Sequence, residues 1–136
     1  MPLLSRKGVL AIAAVIDIAV NARGRPVPAN ALAARHKLPT RHLEPVLQAL
    51  VREGILKGIR GQRGGYELAR ERRRITAEDI VRAAGKTDED SRPALPDSTL
   101  LKAVVQPALM EANRDFSAAL GRITIEELAR RAEKLK

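Results

Sequence analysis

The fold is decided by the stretch Thr40–Tyr66, TRHLEPVLQALVREGILKGIRGQRGGY, because its pattern changes midway from a helical to a β period. Apolar residues recur at helical spacing up to Val51, and Gly54 then ends the helix. Two short apolar segments, 55–59 and 66–69, follow and flank a glycine-rich stretch. The pattern predicts a helix that is followed at once by a β-hairpin.

A shorter helix is predicted just before this stretch, at Pro28–His36, with Ala31, Leu32 and Ala34 facing inward. Thr40 is predicted to cap the longer helix, so only about three residues separate the two helices. This spacing is typical of a helix-turn-helix, whose second helix, the recognition helix, enters the DNA major groove. The hairpin behind it is then a wing.

The N-terminal segment predicts a helix from its cap, Ser5, to about Ala22. Arg6 and Lys7 precede an apolar run, as in a secretory signal, but Asp17 interrupts that run. The run is also too short to span a bilayer. We therefore expect a buried helix in a cytoplasmic protein that does not bind membranes.

The chain becomes helical again after the hairpin. Thr76 and Asp79 form a capping box that starts a fourth helix, and Thr124 and Glu127 form another that starts a short terminal helix. The polar stretch 86–97 between them is interpreted as a linker. The apolar positions predicted to face inward on these two helices are Ile80, Val81, Ala84, Ile125 and Leu128.

Ser98 is predicted to cap a long helix with a wide apolar arc, in which Pro107 should cause a bend. One stripe of this helix is predicted to pair with a second copy of the chain: Leu101, Val105, Ala108, Ala112 and Phe116. The sequence thus predicts a mainly α fold with a small β-hairpin wing. Its parts are a winged helix-turn-helix domain over 1–85, the linker, and a helical dimerisation region over 98–136.

The charge distribution points to a polyanionic partner. The 136 residues carry a net charge of +9. Residues 1–74 contain 15 Lys and Arg against 5 Asp and Glu, whereas residues 75–136 contain 10 against 11. A regional excess of this kind favours nucleic acid over anionic membrane. Because Tyr66 and Phe116 are the only aromatic residues, duplex groove binding is favoured over base stacking.

Enzymatic and cofactor-dependent functions find no support in the residue types. The chain has no cysteine, which excludes disulfides, cysteine-held iron-sulfur clusters and cysteine nucleophiles. Its two histidines, His36 and His42, lack metal-ligand spacing. We therefore expect no enzyme activity, no cofactor and no metal site.

The exposed side of the recognition helix carries side chains that can read DNA bases. Arginine can bind guanine in a bidentate manner, glutamine can bind adenine, and glutamate can accept from cytosine. A solvated helix face would look the same from this segment alone. The residues predicted to contact DNA, including those of the first helix and the wing, are Arg6, Lys7, Thr40, Arg41, His42, Glu44, Gln48, Lys57, Arg60, Gln62 and Arg63.

Five segments together carry a resemblance to known proteins: Ser5–Gly8, Leu43–Leu47, Gly54–Leu56, Arg60–Tyr66 and Ile75–Ile80. In this order and spacing they resemble the Rrf-two family of bacterial transcriptional regulators. That family includes an iron-sulfur cluster regulator, a nitric-oxide-sensing repressor and a cysteine-metabolism repressor. The similarity is close over residues 1–85 and weaker through 123–128.

The resemblance implies roles for residues that the pattern already singles out. Lys7 would contact phosphate, Arg41, His42 and Glu44 would line the major groove, and Arg60 would reach the minor groove. The long helix would be the dimerisation helix of the family.

Three departures from the family pattern are visible. Gln62 stands where the wing commonly has proline, and Val9–Leu10 replace a usual Arg–Tyr pair. The loop before the long helix lacks the cysteines of cluster-binding members, so the chain cannot hold a cluster in their way. It resembles members that bind DNA without one.

The sequence thus predicts a homodimeric, sequence-specific regulator, a repressor, on a roughly palindromic operator with half-sites about 34–36 Å apart. One alternative is an architectural binder that uses the same basic surface without reading bases. Another is a protein-interaction module that docks a partner through its C-terminal helices. Whether the protein responds to a small-molecule or protein effector stays open.

Overall fold

The computed structural model describes residues 5–89 and 96–135 and confirms a mainly α fold with a small β-hairpin wing. These residues form six α-helices and one two-stranded antiparallel sheet. In chain order the elements are α1 (Arg6–Asn21), α2 (Ala29–Arg35), α3 (Thr40–Arg52), β1 (Leu56–Ile59), β2 (Gly65–Leu68), a 3-10 turn (Arg72–Arg74), α4 (Ala77–Glu89), a π-helical segment (Leu101–Val105), α5 (Gln106–Gly121) and α6 (Ile125–Glu133).

Helix α1 lies at the centre of the fold. The Ser5 Oγ accepts a hydrogen bond from the Gly8 N–H at 3.1 Å, which confirms Ser5 as the N-cap. Helices α3, α4 and α6 all pack against α1, which explains why its apolar residues surround the axis. Within the described residues, no helix has both the length and the apolarity needed to cross a membrane.

The helix-turn-helix forms where it is predicted, with two corrections. Ala34 is exposed, whereas Ala33 is buried beside Leu32, because these adjacent positions of α2 face the protein interior. Pro39 precedes α3 in an extended conformation, so Thr40 is the first helical residue rather than the cap. The start of α3 therefore lacks a side-chain cap.

The inner face of α3 supplies much of the hydrophobic core. Leu43, Val46, Leu47 and Leu50 are each at most 3% exposed. Complete burial of one such side chain contributes roughly 1.5–3 kcal/mol relative to its exposure. Pro45 lies on the opposite, exposed side of the helix. The backbone carbonyl that lacks a hydrogen bond because proline has no N–H can therefore be hydrated by water.

Helix α6 completes the same core. Thr76 and Asp79 exchange two hydrogen bonds of 3.1 Å, which confirms the predicted capping box at the start of α4. The segment before α4 pairs with the segment before α6, where the Ile125 N–H donates to the Ile75 carbonyl at 2.8 Å. Both of these isoleucines are fully buried.

This packing corrects the predicted division of the chain. Helix α4 continues to Glu89, so the predicted linker 86–97 starts too early, and residues 90–95 lie outside the described residues. The region 98–136 does not form a unit apart from the winged helix-turn-helix, because Ile125 belongs to the common core. Its long helix and its terminal helix therefore have different structural roles.

The long helix contains a change of helical type just before Pro107. Ser98 caps it as predicted, since its Oγ accepts from the Leu101 N–H at 3.4 Å. The following segment is π-helical, and the Gln106 N–H donates to the Leu101 carbonyl. Proline lacks an N–H and crowds the preceding turn, so a wider turn at this point relieves the conflict. The expected bend thus takes the form of a local π-helical turn.

The wing is fixed to the body of the protein by a third extended segment. Strands β1 and β2 pair from Leu56 with Leu68 to Ile59 with Gly65. Val27 and Tyr66 then exchange two backbone hydrogen bonds, at 2.9 and 2.8 Å. Residue 65 has a φ of +155° and lies directly against the Val27 backbone, which only glycine permits.

Replacement of Gly65 by alanine tests this fixation. A Cβ at residue 65 would lie 2.5 Å from backbone atoms of Val27, so the strand must shift. We expect the free energy of unfolding to fall by about 1–3 kcal/mol. Denaturant titration followed by circular dichroism measures the change.

Gly58→Ala in the facing strand is the matched control. Its added Cβ would meet Tyr66 Cε1 at 3.9 Å, which is an ordinary contact. We expect a change within about 0.5 kcal/mol. Equal losses for the two variants would contradict the assigned role of Gly65.

Candidate nucleic-acid interface

A groove of about 670 Å³ runs between α3 and the wing. Thr40, Glu44 and Gln48 line it from α3, and Arg60 and Gly61 line it from the wing. The structure therefore brings together four of the residues that the sequence predicts to contact DNA. They come from elements on either side of a single opening.

The predicted residues of α3 divide into two rows. Thr40, Glu44 and Gln48 recur every four residues and face the wing. Arg41 and His42 are exposed on the other side of α3, towards the first turn of α1. The exposed surface of α3 thus presents one row towards the wing and the other row towards α1.

A second opening, of about 490 Å³, lies between the first turns of α1 and α3, and we call it the N-terminal cleft. Neither first turn contains an acidic residue. Cations at the positive end of a helix cost about 0.3–1 kcal/mol each, so this arrangement is unfavourable without an anion nearby. The residues that line the cleft are Ser5, Arg6, Lys7, Leu10, Arg41, His42 and Pro45.

The remaining predicted residues lie on the wing outside the groove. Gln62 and Arg63 are exposed at its tip, and neither lines the groove. The Lys57 Nζ lies 3.2 Å from a carboxylate oxygen of Glu67 on the facing strand. Lys57 is thus paired across the hairpin, whereas the tip projects from it.

Residues that the sequence analysis missed also line the groove. Asn30 reaches it from the first turn of α2, and Pro28 and Tyr66 reach it from the Val27 pairing. Asn30 is the second residue of α2, two positions after Pro28, and this place at a helix start could have marked it as an exposed polar residue of the helix-turn-helix. No local pattern indicates the pairing of residue 27 with residue 66.

A charged network holds α2 against α1 and so positions the helix-turn-helix. The Asp17 carboxylate is 6% exposed and accepts two hydrogen bonds from Arg35, at 2.6 and 2.8 Å. It also accepts one from Asn21 at 3.0 Å and lies 2.9 Å from His36 Nε2. Burial opposes ionisation, but the bonds from Arg35 and Asn21 outweigh it and lower the pKa of Asp17. Asp17, which interrupts the apolar run of α1, therefore holds α2 in position.

The two openings form a surface suited to a polyanion with readable edges. Arg6, Lys7, Arg41 and Arg60 supply positive charge, and Glu44 is the one carboxylate among the described residues that line the openings. Cationic side chains bind phosphates, and the groove adds amide and carboxylate groups that can pair with base edges. Among the described residues, no three His, Asp or Glu side chains are grouped so that they could hold a metal ion.

Comparison with known proteins gives concordant results. The model of the family Rrf2, described as iron-dependent transcriptional regulator, matches residues 4–131. An HTH-type transcriptional regulator of Haemophilus influenzae is 35% identical over 83 residues, which are 61% of this chain and 55% of that protein. The chain therefore spans about half the length of this relative.

Solved structures match over nearly the whole chain. The T. potens IscR structure gives a TM-score of 0.74 at 29% identity and covers 98% of this chain and 90% of its own. The structure of CymR, the global cysteine regulator of B. subtilis, gives a TM-score of 0.71 at 28% identity. This match covers 93% of this chain and 95% of the CymR chain. The similarity thus extends beyond the helix-turn-helix.

Asp17→Asn tests the network between α1 and α2. The amide keeps the shape of the carboxylate but loses its charge, which leaves Arg35 without an ionic partner. We expect a loss of about 1–3 kcal/mol at neutral pH, because Arg35 is partly exposed and can be rehydrated. Asp97→Asn is the matched control, since Asp97 pairs with Lys102 on the surface and should contribute less than about 1 kcal/mol.

The parent and Asp17→Asn should also differ in how their free energy of unfolding depends on pH. Because the pKa of Asp17 is lower in the folded state, its stabilisation is complete above the unfolded value, 3.8. It is lost as the pH falls through the folded pKa. Denaturant titration should therefore show the parent and Asp17→Asn converging below about pH 4. A gap that stays constant into strong acid would contradict the role of the charge.

Proposed function

The chain belongs to the Rrf2 family of transcriptional regulators, and from this premise we propose that it binds double-stranded DNA and regulates transcription. The observation that carries the proposal is the pair of openings beside α3, whose described lining residues include four arginine or lysine side chains and one carboxylate. A recognition helix beside a wing can occupy a major groove while the wing reaches the adjacent minor groove or backbone. Such a regulator acts in the bacterial cytoplasm.

Each predicted residue has a role in this proposal according to its position. Glu44 and Gln48 face the groove and contact base edges. Arg41 and His42 contact bases from the neighbouring row, and Lys7 contacts phosphate at the start of α1. The further proposed DNA contacts are Arg6, Thr40, Lys57, Arg60, Gln62 and Arg63.

We further propose that two copies pair through the long helix. The predicted stripe is only partly suitable, because Leu101, Val105 and Phe116 are half-buried against their own chain. Ala108 and Ala112 are exposed. The large apolar side chains exposed on this helix are Leu100 (65%), Val104 (58%), Leu109 (61%) and Met110 (59%). An apolar surface of this kind supports pairing with an identical copy.

A dimer of this kind explains regulation in simple terms. Two recognition helices related by a twofold axis match a palindromic site with half-sites about 34–36 Å apart. A dimer bound at a promoter would exclude the polymerase, so we propose repression.

An iron-sulfur cluster held by cysteines does not fit this chain. The family description names iron dependence, but the chain has no cysteine. Thiolates are the ligands that hold most such clusters. No step of the proposed function therefore depends on a cluster.

Selection of bound duplexes from a random DNA pool, followed by sequencing, tests the function. We expect a palindromic motif whose half-sites are about one helical turn apart. DNA retained without an enriched motif would instead favour the architectural alternative. No retention at any salt concentration would contradict DNA binding and favour a protein-interaction module.

Two variants, one of an arginine and one of a lysine, should distinguish base reading from phosphate binding. Arg41→Ala should change the selected motif, because it removes a donor to base edges. Lys7→Ala should weaken binding to all sequences and reduce the slope of log affinity against log salt by about one unit. Fluorescence anisotropy with the selected site and a scrambled site measures both effects.

Arg130→Ala is the control for these two variants. Arg130 is an exposed cation of α6 that pairs with Glu126 at 2.9 Å and lines neither opening. Its loss should leave both the motif and the salt slope unchanged. An unaltered motif with Arg41→Ala would disprove the role assigned to this row of α3.

Charge introduced into the apolar surface should disrupt the dimer. We expect the parent to have twice the mass of one chain by light scattering, and Leu109→Glu with Met110→Glu to have the mass of one. Leu135→Glu is the matched control, because Leu135 is equally apolar and 87% exposed but follows α6 and is not part of the long helix. A parent that stays monomeric, or a double variant that stays dimeric, would contradict the proposed interface.

A further inference from the structure

The N-terminal cleft has the size of a small-molecule site. Its volume of about 490 Å³ falls within the range of about 300–1,000 Å³ that is usual for ligand pockets. The cleft lies between two helices that also meet in the core, so its walls are held by packing. A ligand would therefore find a preformed opening.

The rim of the cleft is cationic. Arg6 and Arg41 are exposed, with Lys7 and His42 beside them, and no carboxylate is among the described residues that line the cleft. Helices α1 and α3 both begin here, and their positive ends add to the field. An anionic group placed between them would be stabilised from both sides.

The interior of the cleft is apolar, which phosphate binding does not require. Leu10 is half-buried, and Pro45 offers a ring without an N–H donor. A DNA phosphate would satisfy the cations but would leave these two side chains against water. A ligand that carries both an anionic head and an apolar body would satisfy rim and interior together.

We propose that the N-terminal cleft binds a small amphipathic carboxylate, with the carboxylate at Arg6 and Arg41 and the apolar body against Leu10 and Pro45. The carboxylate matches the forked donors of a guanidinium. Burial of the apolar body out of water adds favourable binding free energy.

Such a ligand would compete with DNA. Arg41 lines the cleft and is also a proposed base-reading residue. A carboxylate bound to Arg41 removes the positive charge and the donors that DNA needs. The ligand would therefore release the protein from its operator, a consequence that rests on the proposed function, whereas the binding itself does not.

Direct titration of the full chain in the absence of DNA tests the binding. Octanoate is the probe, and octanamide has the same apolar body without the charge. Isothermal titration should show saturable binding of one octanoate per chain and at least about tenfold weaker binding of octanamide. Equal binding of the two compounds, or no saturable binding of octanoate, would overturn the proposal.

Leu10→Trp locates the site by filling the apolar interior. Val9→Trp is the matched control, because Val9 is the neighbouring residue of α1, is 49% exposed and does not line the cleft. We expect Leu10→Trp to lose octanoate binding and Val9→Trp to keep it within about twofold. If Leu10→Trp does not fold, Leu10→Asn removes the apolar contact without added bulk and should weaken octanoate at least about tenfold. Unchanged binding in the folded Leu10 variant would place octanoate elsewhere and overturn the proposal.

The competition is measured with the selected duplex. Octanoate should displace labelled DNA from the parent and from Val9→Trp, whereas octanamide should not. If octanoate binds but DNA affinity does not change, the regulatory consequence is wrong and DNA binding stands. If the parent binds no DNA in any condition, the proposed function fails, and the titration without DNA alone decides whether the cleft binds a carboxylate.

Discussion

The burial of α1 over residues 11–20, none of which is exposed, is the constraint on which the other elements depend. A helix whose apolar residues surround its axis is stable in water only when neighbouring helices cover every face. Helices α3, α4 and α6 provide that cover, although α6 follows the long α5 in the chain. The same packing brings the first turn of α1 beside the first turn of α3 and so creates the cationic cleft. The candidate DNA-binding surface is thus a direct product of the core.

Two charged clusters at the edge of this core fix orientations that apolar contacts leave loose. Asp17 receives Arg35 and Asn21 and so holds α2 against α1. Arg72, in the 3-10 turn, holds α6 in a similar way, because it pairs with Glu126 at 2.6 Å and with Glu133 at 3.2 Å. Ion pairs contribute modestly to net stability because their desolvation offsets the attraction. Their directional hydrogen bonds, however, allow few alternative positions for α2 and α6.

The parts of the fold that depend on local chemistry could be predicted from the sequence, and the parts that depend on distant contacts could not. The cap at Ser5 and the box at Thr76 each involve residues only three apart, so both helix starts are visible in the sequence. The pairing of Val27 with Tyr66 has no local signature. The residues of α3 that are predicted to contact DNA can be found from their exposure on an amphipathic helix, but their division into two rows depends on where α1 and the wing lie.

The apolar stripe of the long helix shows a subtler limit. A regular period of 3.6 residues predicts a single continuous face. A π-helical turn accommodates more residues per turn, so positions before and after it no longer share that face. Leu101 and Val105 consequently turn towards their own chain, while Leu100 and Val104 are exposed. Pro107, which the sequence indicates as a source of bending, thus also affects which side chains point outward.

The contribution of α6 to the core limits how this protein can be divided or recombined. Ile125 and Ala129 are fully buried, and the Ile125 N–H completes the pairing with Ile75. A chain that ends after α4 would expose the side of α1 that α6 covers. The winged helix-turn-helix therefore cannot be exchanged independently of the C-terminal helices, and a chimera between relatives must exchange α6 together with α1. In evolutionary terms, the two ends of the chain are expected to change as a pair.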